Sequence, residues 1–337
     1  MTLTTKGVSL PVFTGLTHLQ TPGRSLNATA VVLRAPECLE LRQLPLDQPG
    51  VADVVVDMEW SGISTGTERL LWSGRMPAFP GMGYPLVPGY EGVGRVSAVG
   101  EQAALRVGQR VFVPGARCFG EVRGLFGSAA ARVVAPATRV LPVAEQLGER
   151  AILLALAATA LHALEISQHP PQLIIGHGVL GRLLARLCVL RSATPVTVWE
   201  THPARRGGAQ GYQVVDPGED SRRDYHSICD VSGDSAALDK LIGRLAPRGE
   251  IVLAGFYAGA LSFDFPAAFM REARLSIAAQ WQPDDLLNVT RLCESGKLSL
   301  AGLITHGAAA ADAVDAYRTA FTDPECLKMH LDWRHCP

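Results

Sequence analysis

Three glycines in the run Gly176-His-Gly-Val-Leu-Gly181 stand at the spacing G-x-G-x-x-G. That spacing suits a dinucleotide pyrophosphate. Gly176 allows a tight turn, Gly178 lets the pyrophosphate approach the backbone, and Gly181 lets a helix lie close to the preceding strand. The free N–H groups of Val179 and Leu180, at the positive end of that helix, would hold the phosphates. Glu200 follows about 20 residues later, where a ribose-binding acid is expected. A carboxylate there can accept from both ribose hydroxyls, each charge-assisted bond being worth roughly 1.5–3 kcal/mol. It would also repel a 2′-phosphate, so the expected cofactor is NAD rather than NADP. Arg205 and Arg206 follow closely and could serve a 2′-phosphate instead.

These residues need a parallel sheet to hold them. Residues 173–175 are a short apolar run that reads as a buried strand. Val179, Leu180, Leu183, Leu184, Leu187 and Leu190 recur at helical spacing, with Arg182 and Arg186 between them. Strand-like runs follow at 195–199, 212–215, 227–231, 249–255 and 274–278. The alternation predicts an α/β unit with a doubly wound parallel sheet. Upstream, short strands at 30–33, 39–41, 54–58, 88–100 and 107–113 are separated by Pro and Gly and predict a β-rich domain. A tail helix (312–321) and strand (327–333) are expected to return to it. The predicted organisation is an extension over 1–28, a substrate domain over 29–145 completed by 296–337, and a nucleotide domain over 146–295.

Composition narrows the function. With 31 basic and 32 acidic residues the net charge is −1, which gives no electrostatic footprint for nucleic acid or an anionic membrane. The 7 cysteines are an odd number with no C-x-x-C, favouring reduced thiols and a cytoplasmic setting over a disulfide framework. The longest apolar stretch, 151–164, falls short of the ~20 residues that span a bilayer and is interrupted by Thr159 and His162. It reads as a buried helix.

Several runs together resemble the medium-chain dehydrogenase/reductase superfamily. They are Gly62-Ile63 before Gly66-Thr67-Glu68, Pro88-Gly-Tyr-Glu-Gly-Val-Gly94, Val107-Gly-Gln-Arg-Val111, Thr159-Ala-Leu-His162, the Gly176 loop and Leu303-Ile-Thr-His306. The resemblance implies a GroES-like β-rich catalytic domain plus a Rossmann domain, and a cofactor contact at Thr159. Homo-oligomers are common in that superfamily. The run Ile63-Ser-Thr-Gly-Thr-Glu-Arg-Leu-Leu-Trp-Ser-Gly-Arg-Met-Pro77 resembles more narrowly the zinc-free dehydrogenases of bacteriochlorophyll synthesis. Those oxidise the 3-(1-hydroxyethyl) group of a chlorophyllide-type tetrapyrrole to 3-acetyl. Two other functions compete: a zinc-free NADPH quinone or enone reductase, and a non-catalytic tetrapyrrole or dinucleotide carrier.

The zinc-binding majority of the superfamily holds its metal with a Cys after Gly-Ile, a His in Gly-His-Glu, and a third ligand four residues before the Thr-Ala pair. Here those positions are Ser64 (or Thr65, given a one-residue insertion), Tyr90 and Ala155. Hydroxyls stay protonated near pH 7 and Ala155 offers no donor, so no bound metal is expected. The catalytic expectation is that Tyr90, Ser64 or Thr65, and Thr67 surround the substrate oxygen, with Glu91 anchoring the loop or relaying the proton. The competing readings are a Tyr90 that only plugs the vacated site, a Ser64 or Thr65 that caps the next helix, and a Glu91 paired with an arginine. His162 reads as a core histidine, His177 as facing solvent or the cofactor edge, and His306 as packing at the domain junction. Trp72, Met76, Phe79, Met82 and Tyr84 sit in a Pro- and Gly-broken loop. They form either a plug or subunit contact, or the favoured alternative, a wide apolar wall for a flat ring system. Arg69 and Arg75 are candidates for the substrate's propionate.

Overall fold

The computed structural model describes residues 26–336. Six strands form one wholly parallel sheet, ordered Gln213–Val215, Thr197–Trp199, Leu173–Ile175, Tyr225–Asp230, Leu245–Leu253 and Arg274–Ile277. The chain enters at Leu173–Ile175, moves out to one edge, and returns to build the other side. The order therefore reverses between Leu173–Ile175 and Tyr225–Asp230. In open parallel sheets, ligands sit beyond the carboxyl ends of the strands at such a reversal.

The glycine turn occupies that point. Gly176 adopts a φ of +100°, and a Cβ on it would lie 3.4 Å from the Ser232 Cα at the end of the neighbouring strand. Gly181 is needed for another reason. A Cβ there would come within 1.9 Å of the Gly176 carbonyl oxygen. The helix Val179–Arg191 can press its first turn onto the strand end only because that atom is missing.

The helix Leu154–Ile166 backs this sheet. Its alanines at 155, 157, 158, 160 and 163 are buried, and their small size lets the helices Val179–Arg191 and Pro283–Glu294 pack closely against it. A 3-10 segment, Glu145–Leu153, runs into it with a kink at Gly148. Together they span 22 residues, long and apolar enough to cross a membrane by length and composition alone. The sequence reading had measured a shorter stretch. Because 67% of the apolar window is buried inside the protein, the element is a core helix.

The second sheet system is mostly antiparallel. Its seven-stranded sheet follows the order His306–Ala309, Met329–Asp332, Asp53–Ile63, Gly92–Val99, Arg110–Val113 and Leu141–Pro142, with Arg132–Pro136 paired onto Asp53–Ile63. Beside it lies a four-stranded sheet ordered Cys38–Pro45, Asn27–Ala35, Leu86–Val87 and Arg123–Gly124. The tail strand Met329–Asp332 pairs antiparallel with Asp53–Ile63, so the end of the described chain closes on this sheet. The extension expected over 1–28 lies, up to residue 25, outside the described residues; the first strand begins at Asn27.

Gly181→Ala tests the strand–helix approach. The added methyl must displace backbone, and overpacking of this kind costs roughly 1–3 kcal/mol. A thermal melt should show that loss, and weaker binding of the dinucleotide should accompany it. An unchanged melt would contradict the close approach.

Candidate active site

The glycine loop is braced from behind. The backbone N–H of His177 donates to Glu200 Oε2 at 3.1 Å, and that of His202 donates to Glu200 Oε1 at 2.8 Å. The acid read from the sequence as a ribose acceptor is thus also the strut that fixes the loop. His177 does not face solvent, contrary to the sequence reading. Its ring is fully buried, with Nδ1 2.6 Å from the Arg205 carbonyl and Nε2 2.8 Å from the Tyr212 hydroxyl. A carbonyl can only accept, so Nδ1 carries the proton and Nε2 accepts from Tyr212. Burial lowers the imidazole pKa to about 4, which keeps the ring neutral. Arg182, buried in the helix, donates to the carbonyls of His177 and Arg205. On the outer side, a Cβ at Gly178 would meet nothing within 4 Å. The loop therefore offers an open face and unpaired first-turn N–H groups of the helix.

Arg205 and Arg206, the alternative 2′-phosphate ligands, both have protein partners. Arg205 Nε donates to the Pro324 carbonyl at 2.7 Å. Arg206 donates to the Glu200 carbonyl and pairs with Asp216. Thr159 donates to the Ala155 carbonyl of its own helix at 3.0 Å.

Hydroxyls gather around Tyr90. Ser64 Oγ lies 2.6 Å from the Tyr90 hydroxyl, and Thr67 hydrogen-bonds the same phenol. Thr65 is half-buried and bonds to no described residue, so of the two candidates Ser64 is the one that meets Tyr90. The capping alternative does not hold. The helix Thr67–Trp72 starts after Gly66, and no side chain caps it. Burial, with nearby Glu91, pushes the Tyr90 phenol well above its ordinary pKa. It is a hydrogen-bond donor at neutral pH. Among the described residues, no group of three or more His, Cys, Asp or Glu side chains is placed to hold a metal ion.

Two buried carboxyls support these hydroxyls. Glu91 is fully buried and pairs with Lys328, whose Nζ lies 2.6 and 2.9 Å from its two oxygens. The partner is a lysine from the C-terminal segment, where the sequence reading had weighed an arginine. Both Glu91 oxygens accept from Lys328. Glu68 accepts from the Ser64 backbone N–H at 3.2 Å and from the Tyr317 hydroxyl at 2.6 Å. Desolvation raises its pKa from 4.5 to about 7. Sequence reasoning missed Glu68, Tyr317 and Lys328. Lys328 gave no distinct signal, because it alternates with His330 and Asp332 on the polar positions of the run 327–333.

The expected apolar wall is largely a plug. Met76 is buried with Leu33, Leu71, Leu86 and Leu125, and Trp72, Phe79, Met82 and Tyr84 pack half-buried around them. Trp72 also stacks at 5.6 Å on Phe321 from the C-terminal helix. Met76 and Trp72 thus belong to packing, while Arg69 and Arg75 are exposed beside the plug. Two other aromatic rings meet Tyr90. Phe126 stands edge-on at 5.5 Å, and Trp281, from the parallel-sheet half, lies at 6.4 Å. His162 is held by Asp285 at 2.9 Å, as a satisfied histidine between helices. His306 is half-exposed, 3.4 Å from Asp323.

A glycine loop at the sheet's reversal point, joined to a β-rich half that presents buried hydroxyls, defines a medium-chain dehydrogenase/reductase. Residues 50–145 match the alcohol dehydrogenase GroES-like domain family. The fold is shared with 2R,3R-butanediol dehydrogenase from Bacillus subtilis, at a TM-score of 0.78 and 18% identity over 90% of this chain and 99% of that one. The chain is 54% identical to the 2-desacetyl-2-hydroxyethyl bacteriochlorophyllide A dehydrogenase of Cereibacter sphaeroides, over 92% of this chain and 99% of the relative. The protein of the same name from Rhodobacter capsulatus matches at 54%, over 92% and 99%. The chain belongs to this dehydrogenase family.

Two variants probe the buried charges. Lys328→Met leaves Glu91 without its cation and should cost about 3–5 kcal/mol in a denaturant titration; a neutral result would show the pair to be dispensable. Glu68, with its pKa raised on folding, is held as the neutral acid. Its contribution to stability is complete below about pH 4.5 and is lost as pH rises through about 7. Glu68→Gln should therefore gain on the parent between those values in melts taken across pH. Parallel curves would mean that Glu68 does not titrate there.

Proposed function

We propose that the protein oxidises the 3-(1-hydroxyethyl) side chain of a bacteriochlorophyllide-type tetrapyrrole to acetyl, with NAD as hydride acceptor and no metal. The substrate assignment is supported by the names of the two relatives and by their 54% identity along nearly their whole length. The observation that carries the metal-free chemistry is the Ser64–Tyr90 hydroxyl pair, 2.6 Å apart, at the positions where the resemblance to the zinc-binding majority of the superfamily would put metal ligands.

NAD fits the residues present. The open face at Gly178, with the N–H groups of Val179 and Leu180, would take the pyrophosphate, and Glu200 the ribose hydroxyls. The pairing of Arg206 with Asp216 and the carboxylate of Glu200 support NAD over NADP. When bound, NAD accepts the hydride from the alcohol carbon. Zinc does not fit the donor set, since Ser64 and Tyr90 keep their protons and Ala155 has none to give.

The chain's own residues then have a positioning task. Tyr90 and Ser64 would hold the alcohol oxygen by hydrogen bonds, with Thr67 completing the set. The Glu91–Lys328 pair keeps the Tyr90 loop in place. Glu68, raised to about 7, is the carboxyl beside them that changes protonation near neutrality. The macrocycle conjugated to the reacting carbon can share its developing positive charge, which reduces the need for a Lewis acid. Phe79, Met82 and Tyr84 remain candidates for the outer rim of the substrate site.

The exposed Phe265, Phe269, Met270 and Ile277, on and beside the free edge of the parallel sheet, support a homo-oligomer. Seven free cysteines support a reducing, cytoplasmic setting.

The test is turnover of the hydroxyethyl pigment, with the shift of its absorption followed alongside NADH formation. NAD should work and NADP should work poorly. Tyr90→Phe should lower kcat by roughly a hundredfold, as loss of an oriented donor does. An unchanged kcat would remove Tyr90 from the chemistry, and activity that depends on stoichiometric zinc would overturn the reading as a whole.

A further inference from the structure

Trp281 packs half-buried against the core of the parallel-sheet half, at the margin where that core also meets Tyr90. It follows the edge strand Arg274–Ile277 and precedes the helix Pro283–Glu294. Its ring reaches out of the parallel-sheet half to lie 6.4 Å from the Tyr90 ring, inclined by 39°. Phe126 comes from the β-rich half and meets the same ring edge-on, 5.5 Å away at 87°. Both rings are half-buried. The Trp281 indole N–H has no hydrogen-bond partner among the described residues. Thus two flat apolar surfaces, one from each half, flank the phenol whose hydroxyl bonds Ser64. A tryptophan used only for packing is expected to be buried and to have its N–H satisfied.

We infer that Trp281 and Phe126 are specificity-determining residues that clamp the flat face of the substrate macrocycle while Tyr90 and Ser64 hold its hydroxyl. This rests on the proposed tetrapyrrole dehydrogenase function and deepens it. The clamp assigns recognition of the ring to two rings carried by opposite halves. It gives Met76 and Trp72, in the plug, no part in that recognition. Ring-on-ring contact tolerates differences in peripheral substituents, because every conjugated macrocycle has the same kind of π face. Discrimination between a hydroxyethyl and a vinyl side chain is then left to the hydroxyls.

The experiment uses the full chain and the hydroxyethyl bacteriochlorophyllide as probe, with Trp281→Ala, Trp281→Phe and Phe126→Leu. Binding is read by quenching of tryptophan fluorescence and by the pigment's absorption shift; kcat and KM are read separately, and folding by melting. The expected result is a loss of pigment affinity of about tenfold or more in Trp281→Ala, since one stacked ring carries an effect of that order. Trp281→Phe should restore most of it. NAD affinity should not change, and KM should move more than kcat. Phe126→Leu should show a smaller loss of the same kind. A Trp281→Phe or Phe126→Leu protein that melts normally gives the control if the alanine variant fails to fold. If the parent converts the pigment and the Trp281 variants bind it equally well, the clamp is wrong and the dehydrogenase reading stands. If the parent neither binds nor converts it, both fall.

Discussion

A carboxylate and an ammonium group shut away from water must find each other or remain unfavourable. Glu91 and Lys328 do so across 237 positions of sequence, at 2.6 Å. Glu91 directly follows Tyr90. Lys328 directly precedes the strand Met329–Asp332, which pairs with Asp53–Ile63. The pair thus sets where the C-terminal strand lies relative to the strand that ends at Ile63, just before Ser64. Lys328 also reaches the Ile63 carbonyl at 3.3 Å. The contact leaves no room for error. A Cβ on Gly62 would fall 2.2 Å from a Glu91 oxygen, so glycine is required beside the pair. Buried pairs add little net stability compared with apolar packing, but a broken one is costly. The energetics therefore disfavour any arrangement that separates the two, and the Ser64–Tyr90 contact follows from that selection.

The hydroxyls above the pair live under the same low-dielectric condition. A phenol buried near two carboxyls cannot ionise readily, so Tyr90 keeps its proton. Glu68 is held near neutrality by the same burial, tempered by the Tyr317 hydroxyl that donates to it. Tyr317 comes from the helix Ala313–Thr322, so the C-terminal region supplies both Lys328 and the group that bonds Glu68. Residues distant in sequence thus prepare a site whose visible motif lies in residues 62–68 and 88–94.

What could be read from sequence was whatever depends on local period and local spacing. The strand Leu173–Ile175 and the helix behind it follow from an apolar run, a glycine turn and leucines at helical intervals, and they appear as expected. What could not be read was tertiary. Nothing in the spacing of Arg182 and Arg186 announces that both are buried, where the carbonyls of His177, Arg205, Ser299 and Ala301 accept from them. His177 is buried because Tyr212 and Arg205 supply complementary partners for its two nitrogens, and no pattern in the loop announces that. The aromatic loop around Trp72 looked like a binding wall because its composition is that of one. Its plug character depends on Leu33, Leu86 and Leu125 arriving from other strands.

The two halves of the site differ in how they are held. The nucleotide loop, Glu200, His177 and Arg182 all belong to the parallel-sheet half and brace one another within it. That cradle is preorganised whatever the other half does. The ring of Tyr90 is different, because its neighbours come from both halves: Phe126 from one and Trp281 from the other. Any relative movement of the halves changes the distance between Tyr90 and Trp281 while leaving the Glu200–His177 strut intact. Under the proposed reading, a flat substrate with its hydroxyl at Tyr90 and Ser64 would meet rings from both halves, whereas the nucleotide would meet mainly the half that carries its glycine loop.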